Sequence, residues 1–165
     1  NPQLKEKGES CGLVLMGLDY AALKLIDTVD GVMLQYVECR NALKGSDETV
    51  LGQAMLESVP LPMPYSNKYM STTVPPVAPL AYKATDVFLR LKVEPRERKG
   101  NVPDLTATFS YSTDGRNWKS LTKSPSHSFT GKPGKWIGAK FGFWCNRMAK
   151  KNDSGWMQVD WIRVE

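Results

Sequence analysis

A chain of 165 residues with 41% hydrophobic content is the size of one ordinary domain and can bury a sizeable core. Its net charge of +5 comes from cations scattered among acids, as in Lys92, Glu94, Arg96, Glu97, Arg98 and Lys99, and the one unbalanced cluster, Arg147, Lys150 and Lys151, sits in a turn pattern; nucleic acid needs a basic stripe instead, so no such partner is expected. No run of about 18 apolar residues is present to span a bilayer, and the start lacks the basic-then-apolar order of a signal peptide, so no membrane partner is expected either.

Along the chain, apolar runs bounded by turn residues recur: Gly12 to Leu18, Val32 to Cys39, Thr49 to Val59, Val87 to Val93, Leu105 to Ser112, Trp136 to Cys145 and Trp156 to Val164. None holds a helical period, so the chain reads as all-β. Seven or so antiparallel strands with long connections predict a single domain over residues 1–165, a two-sheet β-sandwich or jelly roll rather than a small closed barrel. Cys11, Cys39 and Cys145 are odd in number, widely spaced and set beside apolar residues, which reads as buried free thiols. His127 is the single histidine. That leaves no Cys/His set for zinc and no Ser-His-Asp or Cys-His relay, so the reading has no metal, no cofactor and no catalytic residue.

Residues 60–85 change texture. Pro60, Pro62, Pro64, Pro75, Pro76 and Pro79 alternate with Tyr65, Tyr69, Tyr82 and Met63; prolines at that density preclude a central strand, and the stretch reads as a long Pro-rich loop inside the domain. Farther on, Leu105, Ala107, Phe109 and Tyr111 alternate with Thr106, Thr108, Ser110 and Ser112, a half-buried strand. Asp114-Gly115 supplies a hairpin turn, and Trp118 on the return closes the hairpin onto the sheet.

Trp136 to Cys145 has two unlike faces. Ile137, Ala139, Phe141, Phe143 and Cys145 form a core side. Trp136, Gly138, Lys140, Gly142 and Trp144 form the other, two indoles separated by bare glycines with one cation between them. A sugar ring stacks its C–H face on an indole while polar neighbours bond its hydroxyls, so this face suits carbohydrate. The glycines equally allow the opposite sheet or a loop to pack closely, and that plainer reading stays open. In the last run Met157, Val159 and Trp161 take the core side, and Trp156, Gln158 and Asp160 the other. Asp160 reads as structural, accepting backbone N–H bonds, since a lone carboxylate does not make a glycosidase. The candidate contact set is therefore Trp136, Lys140, Trp144, Trp156 and Gln158.

Four segments, "GLVLMGLDYAALKL" (Gly12 to Leu25), "FSYSTDGRNW" (Phe109 to Trp118), "GKWIGAKFGFWC" (Gly134 to Cys145) and "GWMQVDWIRV" (Gly155 to Val164), stand in the order found in the C-terminal β-sandwich of many glycoside hydrolase family 43 enzymes. These are β-xylosidases and α-L-arabinofuranosidases acting on xylan and arabinan. The chain resembles that domain over most of its length. The resemblance implies a concanavalin A-like jelly roll that is not itself catalytic. It also implies two partners: a five-bladed propeller, as a domain or separate chain, that carries the catalytic carboxylates, and a plant cell-wall oligosaccharide at the propeller's mouth. In some members an aromatic from the strand resembling Gly134 to Gly142 reaches that mouth, and Trp136 is the nearest match.

Two departures accompany the resemblance. The Pro-rich stretch is longer than the family pattern. "GESCGLVLMG" resembles a segment from well inside the family domain, so the strands that would precede it are expected to be missing and Gly12 to Leu18 to lie beside an open edge. The leading functional reading is an accessory domain that packs on the propeller and shapes its substrate pocket. The alternative is an independent carbohydrate-binding module. A jelly-roll glycosidase in its own right is the third. It would need two carboxylates roughly 5–10 Å apart across a bond, for which the scattered Asp19, Asp114 and Asp160 are poor substitutes.

Overall fold

The computed structural model describes residues 2–4, 6–56, 59–60, 82–83, 86–95, 105–131, 140–146 and 156–164. It is an antiparallel β-sandwich. The larger layer is a five-stranded sheet of β2 (Ser10–Met16), β3 (Tyr20–Thr28), β4 (Gly31–Cys39), β5 (Thr49–Met55) and β10 (Lys140–Asn146), in the order β10-β2-β3-β4-β5. Facing it, β8 (Phe88–Pro95) pairs with β9 (Leu105–Ser112), and β9 bridges onward to Phe129 and Lys119. Two short ladders complete the described elements: β1 (Pro2–Gln3) with β11 (Trp156–Met157), and β6 (Val59–Pro60) with β7 (Tyr82–Lys83). The second ladder ties together the two ends of the 60–85 stretch, whose interior lies outside the described residues. A 3-10 turn, Ala42–Lys44, follows β4. No helix among the described residues is long and apolar enough to cross a membrane.

The core follows from strand alternation. In β2, β3 and β4 the residues Cys11, Leu15, Leu23, Leu25, Leu34 and Tyr36 face inward, and they meet Ala107, Phe109 and Phe129 from the second layer. Every second side chain of a strand points to one face, which is how a short period becomes a continuous apolar layer. The outer face of the large sheet carries a smaller cluster of Val14, Ala22 and Val37, flanked by Tyr20 and Trp144.

β9 spans the predicted Leu105–Ser112, with Ala107 and Phe109 buried and Tyr111 packed on the core as the alternation requires. The turn after it is wider than a two-residue hairpin, closing through paired hydrogen bonds between Tyr111 and Lys119. Gly115 there has φ +71°, a conformation that side chains with a Cβ rarely adopt. Asp114 organises the turn by accepting from the backbone N–H groups of Arg116 and Asn117, both at 2.8 Å. Those bonds, with the Asn117 and Ser112 side chains, hold its carboxyl well below the usual carboxylate range. Trp118 is half-buried, with the Arg90 guanidinium of β8 stacked 3.5 Å from its ring centre.

Three expectations are corrected. Gly12 to Leu18 does not lie at an open edge, because β2 is hydrogen-bonded to β3 on one side and to β10 on the other. Phe141, Phe143 and Cys145 lie on the core side of β10, opposite Leu15, Leu13 and Cys11, yet they are exposed, Phe141 at 58%. The reason is position: β10 ends the sheet among the described residues, so only one flank of each side chain is packed. Finally, the last run is a strand only over Trp156–Met157; beyond it Trp161 is 61% exposed and touches Phe88, rather than joining the core. Ile137, Ala139, and the cluster of Arg147, Lys150 and Lys151 lie outside the described residues.

Candidate functional site

Trp144 and Trp156 come together. With Phe143, Cys145, Met157 and Val159 they line a shallow cleft of about 420 Å³ between the edge strand β10 and β11. The two strands bring different parts of the chain to one place. β10 is held by its full-length register with β2, and β11 by the two-residue ladder with β1, while Met157 anchors it in the core.

The indole of Trp144 turns back over the sheet, so that a Cβ built on Gly12 would come within 2.8 Å of its ring and 2.0 Å of the Leu23 carbonyl oxygen. Gly12 is thus a close-packing glycine, on the strand next to β10 rather than among the glycines of Trp136 to Cys145. Gly142 is different: among the described residues nothing lies within 4 Å of where its Cβ would be. Between Lys140, which is exposed, and Trp144 the face of β10 is bare. Gln158 lies in the irregular segment after β11 and donates from its side chain to Asp160 Oδ1 at 2.7 Å, both residues being exposed. Trp136 lies outside the described residues.

Among the described residues the cleft is lined by aromatic, thioether, thiol and aliphatic side chains, with no carboxylate. Such a surface can stack against a flat or apolar group.

Titratable side chains gather elsewhere, at a spot that sequence reasoning missed. Tyr36, Glu38 and Arg40 alternate along and just past β4, and so share the core-facing side. Glu38, 8% exposed, accepts from Tyr36 Oη at 2.9 Å and from Arg40 Nη2 at 2.7 Å, and pairs with His127 Nε2 at 2.7 Å. Arg40 also donates to the Thr130 carbonyl at 2.7 Å, lies 3.4 Å from Asp19 Oδ2 and stacks over the Phe129 ring. Asp19 accepts the Asn41 N–H at 2.8 Å. Burial alone would raise the Glu38 carboxyl, but the hydrogen bonds from His127, Tyr36 and Arg40 outweigh it and hold it below its ordinary value. Both oxygens of Glu38 are engaged, so the network works as a latch that fastens residues 127–130 to β4. The visible signal was a charged residue at the inward phase of an apolar strand. Its partner His127, far along the chain, had no local signature.

Among the described residues no three His, Cys, Asp or Glu side chains converge as ligands for a metal ion.

The comparisons with known proteins agree with this architecture. The family model for the beta xylosidase C-terminal concanavalin A-like domain matches residues 2–165. No curated protein and no solved structure matches the chain.

Proposed function

The chain belongs to the beta xylosidase C-terminal concanavalin A-like domains of glycoside hydrolase family 43, and on that premise we propose that it is a non-catalytic accessory sandwich that docks on the catalytic propeller of its enzyme. The observation that carries the reading is the apolar surface along β10 and β11. Phe141, Phe143, Trp156 and Val159 are each more than 40% exposed, and three of them line one cleft. Contiguous exposed aromatic surface costs solubility unless a partner covers it. The partner is the propeller because family 43 domains of this type belong to enzymes whose catalytic residues lie elsewhere. From this docked position the face of Trp144 would shape the mouth of the substrate pocket, where xylan or arabinan fragments enter.

The test supplies the catalytic domain in trans. The wild-type chain is expected to co-elute with it in gel filtration, and Phe143→Ser with Trp156→Ser to abolish co-elution while the far-ultraviolet spectrum is unchanged. Undiminished co-elution of the double variant would place the contact on another face.

The bare backbone at Gly142 between Lys140 and Trp144 favours a second reading, an independent carbohydrate-binding module. Pull-down on insoluble xylan and arabinan separates the two: a module sediments with polymer in the absence of any propeller, and loses that property in Trp144→Ala.

A further inference from the structure

Cys11 and Cys145 stand directly opposite one another in the β2–β10 register. Directly opposed residues of antiparallel strands point to the same side, with Cα atoms about 4.5–5.5 Å apart, inside the 4.4–6.8 Å range that a disulfide spans. Both thiols are free, and each side chain is near enough to influence the ionisation of the other. One is fully buried and the other exposed at the rim of the β10–β11 cleft. Cys39 is excluded from the pair. It sits at the end of β4, with its Sγ on the Ser46 carbonyl at 3.1 Å.

We propose that Cys145 and Cys11 form a dithiol modification site, in which exchange with a low-molecular-weight disulfide cross-links the edge strand β10 to β2. The division of labour follows from exposure. Cys145, which solvent reaches, attacks one sulfur of the small disulfide as its thiolate; the S–S bond breaks and the first small thiol leaves, taking up the proton that Cys145 gave to solvent. Cys11, as its thiolate, then attacks the Cys145 sulfur of the mixed disulfide and expels the second small thiol, which takes up the Cys11 proton. Two protein thiols are oxidised by two electrons, and one small disulfide is reduced to two thiols.

Burial pushes the Cys11 thiol up to about 12 and also raises that of Cys145, so the exchange is slow at neutral pH and quickens as pH rises. A docked partner would slow the first step by hiding Cys145, without altering the geometry of the pair.

The experiment treats the full chain with excess oxidised glutathione at pH 8, alkylates the remaining thiols, and maps non-reduced peptides by mass spectrometry. The expected product joins Cys11 to Cys145 and leaves Cys39 alkylated. Cys145→Ser, at an exposed position, should prevent any cross-link to Cys11, whereas Cys39→Ser should leave the product unchanged. A glutathione adduct that stops at Cys145, or Cys11 recovered fully alkylated, would overturn the proposal, as would a cross-link from Cys11 to Cys39.

Discussion

At the scale of single residues, two glycines on neighbouring strands separate close packing from open space. A methyl group at Gly12 would strike the Leu23 carbonyl and the Trp144 indole, whereas one at Gly142 would meet nothing among the described residues. Gly12→Ala should therefore cost about 1–3 kcal/mol, the usual penalty for overpacking, and Gly142→Ala should stay within about 0.5 kcal/mol of wild type. Urea unfolding of the two variants checks the contrast. Glu38 supplies a second test, through pH. Its folded carboxyl lies below its ordinary value, so its contribution is fully present above the unfolded value near 4.3 and is lost as pH falls through that value towards the folded one. Glu38→Gln should be less stable than wild type by about 2 kcal/mol at pH 7, the range for hydrogen bonds to a buried charge. The gap should narrow as pH drops below about 4; a gap unchanged at pH 3 would mean that ionised Glu38 adds nothing to the latch.

At the scale of elements, legibility followed the quality of the alternation. β9 was recovered residue for residue because apolar and hydroxyl side chains exchange places at every step from Leu105 to Ser112. β3 was not singled out as a strand. Ala21, Ala22, Leu23 and Leu25 are all buried, with the small Ala22 turned to the outer cluster, and burial on both faces erases the period of two. Trp156 to Val164 failed in the opposite sense: it has the alternation but, past Met157, no neighbouring strand among the described residues to make it count. Of the candidate site, the pairing of Trp144 with Trp156 was half legible, since each was named from its own segment but nothing in either pointed to the other. A mutational contrast follows for stability. Phe129, buried to 2% beneath Arg40, should lose about 3–5 kcal/mol on substitution by alanine. Trp161→Ala should cost under about 1 kcal/mol in the chain alone, and chemical denaturation of both variants decides whether the C-terminal run is core or surface.

At the scale of the whole molecule, the sheet is closed by its most distant members. β10 completes the register of β2, although the two strands lie roughly 130 residues apart in the chain. A chain ending before Lys140 should therefore present β2 as an unpaired, apolar edge; gel filtration of such a truncation is expected to show aggregates where the full chain gives a defined species. The same separation has a consequence in time. During synthesis β2, β3, β4 and β5 can pair as soon as each neighbour emerges. The outer edge of β2 must then wait until residues 140–146 are translated, about 7–25 seconds later at ordinary elongation rates of about 5–20 residues per second. For that interval the nascent protein carries an open adhesive strand, and its yield in a cell depends on how fast the ribosome reaches residues 140–146.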